Sequence, residues 1–109
     1  AICLRAVLHE VIEMRRRYIV CYDISDPKRL SRTFKTMKGF GDPLQKSVFT
    51  CDLSPAERVM LVSRLSEIMN AQEDSVIIVD TGQVGSKRES LEYLGRAVLP
   101  EEGSAAVIV

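Results

Sequence analysis

The sequence has a single histidine, three cysteines without a CxxC pair, and no net charge. With His9 the only imidazole and lying near the start, neither a Ser-His-Asp nor a Cys-His nucleophilic arrangement can be built in the body of the chain. There is no Walker loop and no GxGxxG, which removes the common phosphate-cradling motifs. No apolar stretch approaches the roughly 18 residues that a membrane span needs. The opening segment AICLRAVLHEVIE is broken by Arg5, His9 and Glu10 and makes a poor signal peptide. Cys3, Cys21 and Cys51 are odd in number and widely spaced, so neither a zinc site nor a disulfide framework is indicated. Cys21 and Cys51 lie among strand-forming residues and read as buried free thiols, which suits a reducing cytoplasm.

What is present is enough for one ordinary core. A chain of 109 residues, 46% hydrophobic and 28% charged, is one globular domain and not a disordered segment. Its zero net charge hides a segregation. Residues 14–64 carry eleven Lys/Arg against five Asp/Glu, and residues 65–109 carry three against eight. A basic half points to a polyanion, and equally to a solvated face with its counter-charge elsewhere.

The elements follow from local chemistry. Tyr18 to Ile24 reads as a strand, and Asp26 followed by Pro27 reads as a helix N-cap and first turn. Leu30, Phe34 and Met37 form that helix's apolar stripe, and Gly39 and Gly41 stop it. Residues 43–53, PLQKSVFTCDL, are extended as one bent strand or two short ones. SPAE, residues 54–57, is a capping box opening a helix to about Asn70, with Leu61, Leu65, Ile68 and Met69 as its core stripe. DSVIIVDTG, residues 74–82, is the next strand, a polar loop follows, and residues 91–95 and 105–109 are two further possible short strands. The order predicts an α+β, ferredoxin-like βαββαβ sandwich with both helices on one face of the sheet. YIVCY and VIIV are apolar on both parities, as in strands covered on both faces. Two helices cover only one face, so a second copy of the chain is the expected cover for the other.

Asp23 is the candidate for chemistry. It ends an apolar strand just before a cationic helix. As a turn acid it needs no further role; near a two-fold axis it becomes a pair of carboxylates able to hold Mg²⁺, which keeps several of its own waters. Arg16 and Arg17, in the run RRR, and Lys28, Arg29, Arg32 and Lys35, on the first helix, are candidate phosphate contacts. KGFG, residues 38–41, echoes the start of an RNA-recognition motif, but Asp42-Pro43 stand where its Phe-Val should be, so an RNA-recognition-type module is the remoter alternative.

Taken together, RRRYIVCYDISDPKRLSRTFKTMKGFG, QKSVFTCDLSPAE and DSVIIVDTG resemble the CRISPR-associated Cas2 family, the small partner of the Cas1 integrase in spacer acquisition. The resemblance covers about residues 14–82, with an echo in LEYLG. It implies a homodimer with sheets face to face and a metal-dependent endonuclease acting on single-stranded RNA or double-stranded DNA. It further implies that Asp23 binds Mg²⁺ from both subunits, with Tyr22, Ser47 and Phe49 lining the cleft. Within the family a non-catalytic scaffold for the integration complex is the alternative function. Residues 1–13 are then expected to be an upstream start or an appended segment, 14–82 the ferredoxin-like domain, and 83–109 a tail whose short strands pack on the partner subunit.

Overall fold

The structure is a computed structural model that describes residues 15–85, Glu92 and residues 94–96. Strand β1 (Arg16–Asp23) leads to helix α1 (Pro27–Lys38), a hairpin of β2 (Asp42–Gln45) and β3 (Val48–Leu53), helix α2 (Pro55–Ile68) and strand β4 (Ser75–Gln83). The four strands form one antiparallel sheet in the order β2-β3-β1-β4, the ferredoxin-like arrangement. Residues 1–13 and the tail segment 105–109 lie outside the described residues, and so do Leu91 and Tyr93 of LEYLG.

Each helix starts where its sequence says. Asp26 takes extended backbone and its carboxylate accepts from Arg29 N at 2.9 Å, with Pro27 in the first turn. Ser54 and Glu57 form a reciprocal capping box, Glu57 N donating to Ser54 Oγ at 3.2 Å and Ser54 N donating to Glu57 Oε1 at 2.9 Å. Helix α1 stops at Gly39, its C-cap, as expected, but without the left-handed backbone of a typical glycine cap. Gly39 keeps right-handed helical backbone. Gly41 is needed for space: a Cβ there would meet the Thr50 carbonyl oxygen and lie 2.6 Å from Cys51 Sγ.

Along β1, burial alternates with the pleat. Tyr18, Val20 and Tyr22 point to the helices and are buried with Ile24, Phe49, Cys51, Leu53, Met37, Leu61 and Leu65. Phe49 is the centre, fully buried, with Phe34 edge-on at 5.5 Å and Tyr22 at 6.2 Å between ring centroids. On α1 the buried positions are Thr33 and Met37, with Phe34 beside them, whereas Leu30 remains 39% exposed. Thr33 can enter the core because its hydroxyl donates to Arg29 O at 2.8 Å.

Among the described residues no element covers the other face of the sheet. Its rows are read from the register. Ile19 lies between Thr50 and Val79, and Cys21 between Val48 and Ile77. Ile77 is 60% and Val79 46% exposed. The two-sided apolar strands are therefore a helix-covered face and an open apolar face.

Candidate active site on the open sheet face

Asp23 is the last residue of β1, and its parity places it on the open face with Arg17, Ile19 and Cys21. Ser75, the first residue of β4, is its cross-strand partner. The carboxylate is exposed and, among the described residues, makes no hydrogen bond or ion pair. Four of the five other described aspartates are occupied, and the fifth, Asp42, opens the edge strand β2. Asp26 caps α1, Asp52 binds Arg17, Asp80 binds Arg16, and Asp74 binds Arg29.

The cations sort into two groups that sequence alone cannot separate. Arg16 Nε sits 2.8 Å from Asp80 Oδ2, and Arg17 meets Asp52 through Nε at 2.5 Å and Nη2 at 2.8 Å. Arg29 is held by Asp74 and Glu73, at 2.8 and 3.1 Å. The hydrogen bonds that Arg29 donates to Asp74 raise the guanidinium pKa further and hold the Asp74 carboxyl far below the usual carboxylate range. Asp52 and Asp80 are lowered in the same way by their arginines. Lys28, Arg32 and Lys35 are exposed on α1 with no ion-pair partner among the described residues. Of the six candidate cations these three are the ones free to meet a phosphate backbone, and Lys35 also lines a cleft of about 690 Å³ shared with Phe40, Met60 and Arg64.

Of the three residues expected beside Asp23, the structure brings one near and turns two away. Ser47 is in the β2–β3 turn and its carbonyl accepts from Tyr22 N at 3.0 Å, beside the end of β1. The side chains of Tyr22 and Phe49 lie on the helix-covered face, 5% and 0% exposed. Alternation decides this: Tyr22 is one residue from Asp23 and must point the opposite way. Tyr22 supports the site from behind, its hydroxyl donating to Lys46 O at 2.9 Å, with burial pushing its pKa up to about 12. Cys51 is buried and free, its thiol pushed up to about 12 by burial, while Cys21 is half-buried on the open face.

The donor set can be tested for a metal. Among the described residues no three His, Cys, Asp or Glu side chains gather. Asp23 alone offers one carboxylate to a hard cation that retains its waters, and the fit is completed only when a second chain supplies another Asp23. An open apolar face bordered by that carboxylate is the surface on which such a copy would sit. Sequence reasoning missed Arg29–Asp74 and Arg17–Asp52 because each pair joins residues 35 or more positions apart.

Comparison with known proteins agrees with this architecture. The sequence profile of the family described as CRISPR associated protein Cas2 matches residues 14–88. A Rhodospirillum rubrum protein named CRISPR-associated endoribonuclease Cas2 1 is 40% identical over 91 residues, 84% of this chain and 89% of that protein. A Geobacter sulfurreducens CRISPR-associated endoribonuclease Cas2 is 37% identical over 87% of this chain and all of its own length. Among solved structures, a hypothetical protein from Thermus thermophilus superposes with a TM-score of 0.67 at 30% identity, covering 80% of this chain and 99% of its own. Streptococcus pyogenes Cas2 superposes with a TM-score of 0.54 at 34% identity, over 57% of this chain and 81% of its own.

Proposed function

This chain belongs to the CRISPR-associated protein Cas2 family, and on that premise we propose that it is a metal-dependent endonuclease acting in CRISPR adaptation beside the Cas1 integrase. The observation that carries the reading is Asp23, an exposed carboxylate that, among the described residues, is unpaired and borders an uncovered apolar sheet face. Two chains packed through that face bury Ile19, Cys21, Ile77 and Val79 and bring two such carboxylates to one axis. Asp23 of each copy would hold Mg²⁺, which when bound supplies a water of lowered pKa and neutralises charge on the phosphate. Lys28, Arg32 and Lys35 bind the sugar–phosphate backbone, a mode of contact that positions the strand without reading its bases. The names of the relatives, endoribonucleases, favour RNA over DNA as the substrate.

A scaffold role has one observation on its side: among the described residues no three candidate ligands gather. One set of assays separates the two. Cleavage of single-stranded RNA and of duplex DNA is measured with Mg²⁺ and with chelator, for the parent and for Asp23→Asn, and each protein is tested for spacer integration with Cas1. The enzyme reading expects Mg²⁺-dependent cleavage by the parent and none by the variant. Cleavage by Asp23→Asn at the parental rate refutes the assignment of Asp23. No cleavage by either protein, with integration supported equally by both, establishes the scaffold.

A further inference from the structure

Asp74 is the buried acid of the described residues, 7% exposed overall with its side chain fully covered. Five donors converge on it. Oδ1 accepts from Ser25 N at 3.0 Å, Ser25 Oγ at 3.3 Å and Arg29 Nη2 at 3.2 Å. Oδ2 accepts from Arg29 Nε and Asn70 N, both at 2.8 Å. These donors come from three separate segments: the exit of β1, the first turn of α1 and the link from α2 to β4. Both oxygens are therefore needed as acceptors, a demand that an ionised carboxylate meets and an amide does not.

The placement relative to Asp23 is what makes the cluster more than a staple. Ser25 lies two residues beyond Asp23 in the chain. Asp74 immediately precedes Ser75, which pairs with Asp23 across the sheet. The backbone on both flanks of the Asp23 carboxylate is thus tied to one buried group. A buried ion pair is poor evidence for stability, because desolvation offsets most of its attraction; what it supplies is a fixed geometry. Neutralised in this way, Arg29 is also the helix cation least able to serve a phosphate.

We infer that Arg29 and Asp74 are positioning residues for Asp23, holding the exit of β1 and the start of β4 so that the carboxylate is presented at a set point on the open face. The inference rests on the reading of Asp23 as a metal ligand. Partners that orient a ligand typically carry about 10- to 100-fold in metal affinity.

The test uses the full chain and Mn²⁺ as the probe, with binding measured by calorimetry and electron paramagnetic resonance. Asp74→Asn and Arg29→Gln are each expected to weaken Mn²⁺ binding about tenfold or more, and Asp23→Asn to abolish it. Arg29→Gln leaves Asp74 its two backbone donors and serves if Asp74→Asn does not fold. Asp52→Asn breaks another arginine pair at the far end of the same face; it is expected to lower the thermal midpoint while leaving the Mn²⁺ affinity unchanged. Parental affinity in the folded Arg29 or Asp74 variant overturns the inference and leaves the reading of Asp23 standing. An equal loss in Asp52→Asn also overturns it, since affinity would then follow general stability. A parent that binds no Mn²⁺ overturns the reading of Asp23 itself, and the inference with it.

Discussion

Arg17 and Asp52 stand directly opposite each other on β1 and β3 and meet in two hydrogen bonds, Nε to Oδ1 at 2.5 Å and Nη2 to Oδ2 at 2.8 Å. The pair closes one end of the open sheet face. At the other end Asp23 has no such partner among the described residues. The same apolar face thus ends in a neutralised acid on one side and a free one on the other.

That pairing predicts how stability depends on pH. The bond from Arg17 lowers the Asp52 carboxyl in the folded chain, and Asp74, Asp80 and Glu57 are lowered as well. As pH falls through roughly 4, the unfolded chain takes up protons that the folded chain refuses, so the contribution is full above that range and lost below it. Urea midpoints should be flat from neutral pH down to about 5 and fall steeply below about 4. Asp52→Asn should be less stable at neutral pH and lose less on acidification, because Asp52 is partly exposed and supplies only part of the slope. An unchanged acid limb in that variant would contradict the role of the pair.

The open face predicts a dimer at micromolar concentration. Ile77, 60% exposed on β4 and in register with Cys21, lies on that face. Ile77→Lys should give a monomer by light scattering with the parental circular dichroism, because the substitution places a charge on the buried surface of the dimer and touches no core residue. A variant that dimerises as tightly as the parent would rule out this face.

Salt dependence separates the two groups of basic residues. Removing one phosphate contact from duplex DNA lowers the slope of log affinity against log salt by about 0.9. Arg32→Gln and Lys35→Gln should each do so. Arg29→Gln should leave the slope as it is, because its guanidinium is engaged by Asp74 and Glu73. A fall of the same size in Arg29→Gln would return that residue to the phosphate-binding set.

Phe49 is predicted to act through packing. Fully buried between Phe34 and Tyr22, it should cost about 3–5 kcal/mol of stability on change to Ala, measured by urea unfolding. Phe49→Leu should fold and keep the parental affinity for nucleic acid. A loss below about 1 kcal/mol in Phe49→Ala would contradict its place at the centre of the core.

Much of the fold was legible because its signals are local. Asp26-Pro27 and SPAE start helices by the bonds that residues three apart make with each other. The order of elements and the ordered motifs carried the family, and Asp23 stood out because a strand-end acid before a basic helix is visible in a few residues. Leu30 shows where local reading fell short. It belongs to the same stripe as Phe34 and Met37, yet the stripe does not say where along the helix the packed surface ends.

The faces and the partners were decided by tertiary structure alone. Apolar residues on both parities of YIVCY leave open which set meets the helices, and register with β3 and β4 settles that Tyr18, Val20 and Tyr22 do. The same alternation sends Tyr22 and Phe49 away from Asp23. Six basic residues look alike in the sequence. Arg16, Arg17 and Arg29 acquire acids 64, 35 and 45 residues away, while Lys28, Arg32 and Lys35 acquire none among the described residues. Charge type is a property of each side chain. Whether a charge is free depends on what folding brings within about 3 Å of it, and that distance is set by the sheet and not by the spacing along the chain.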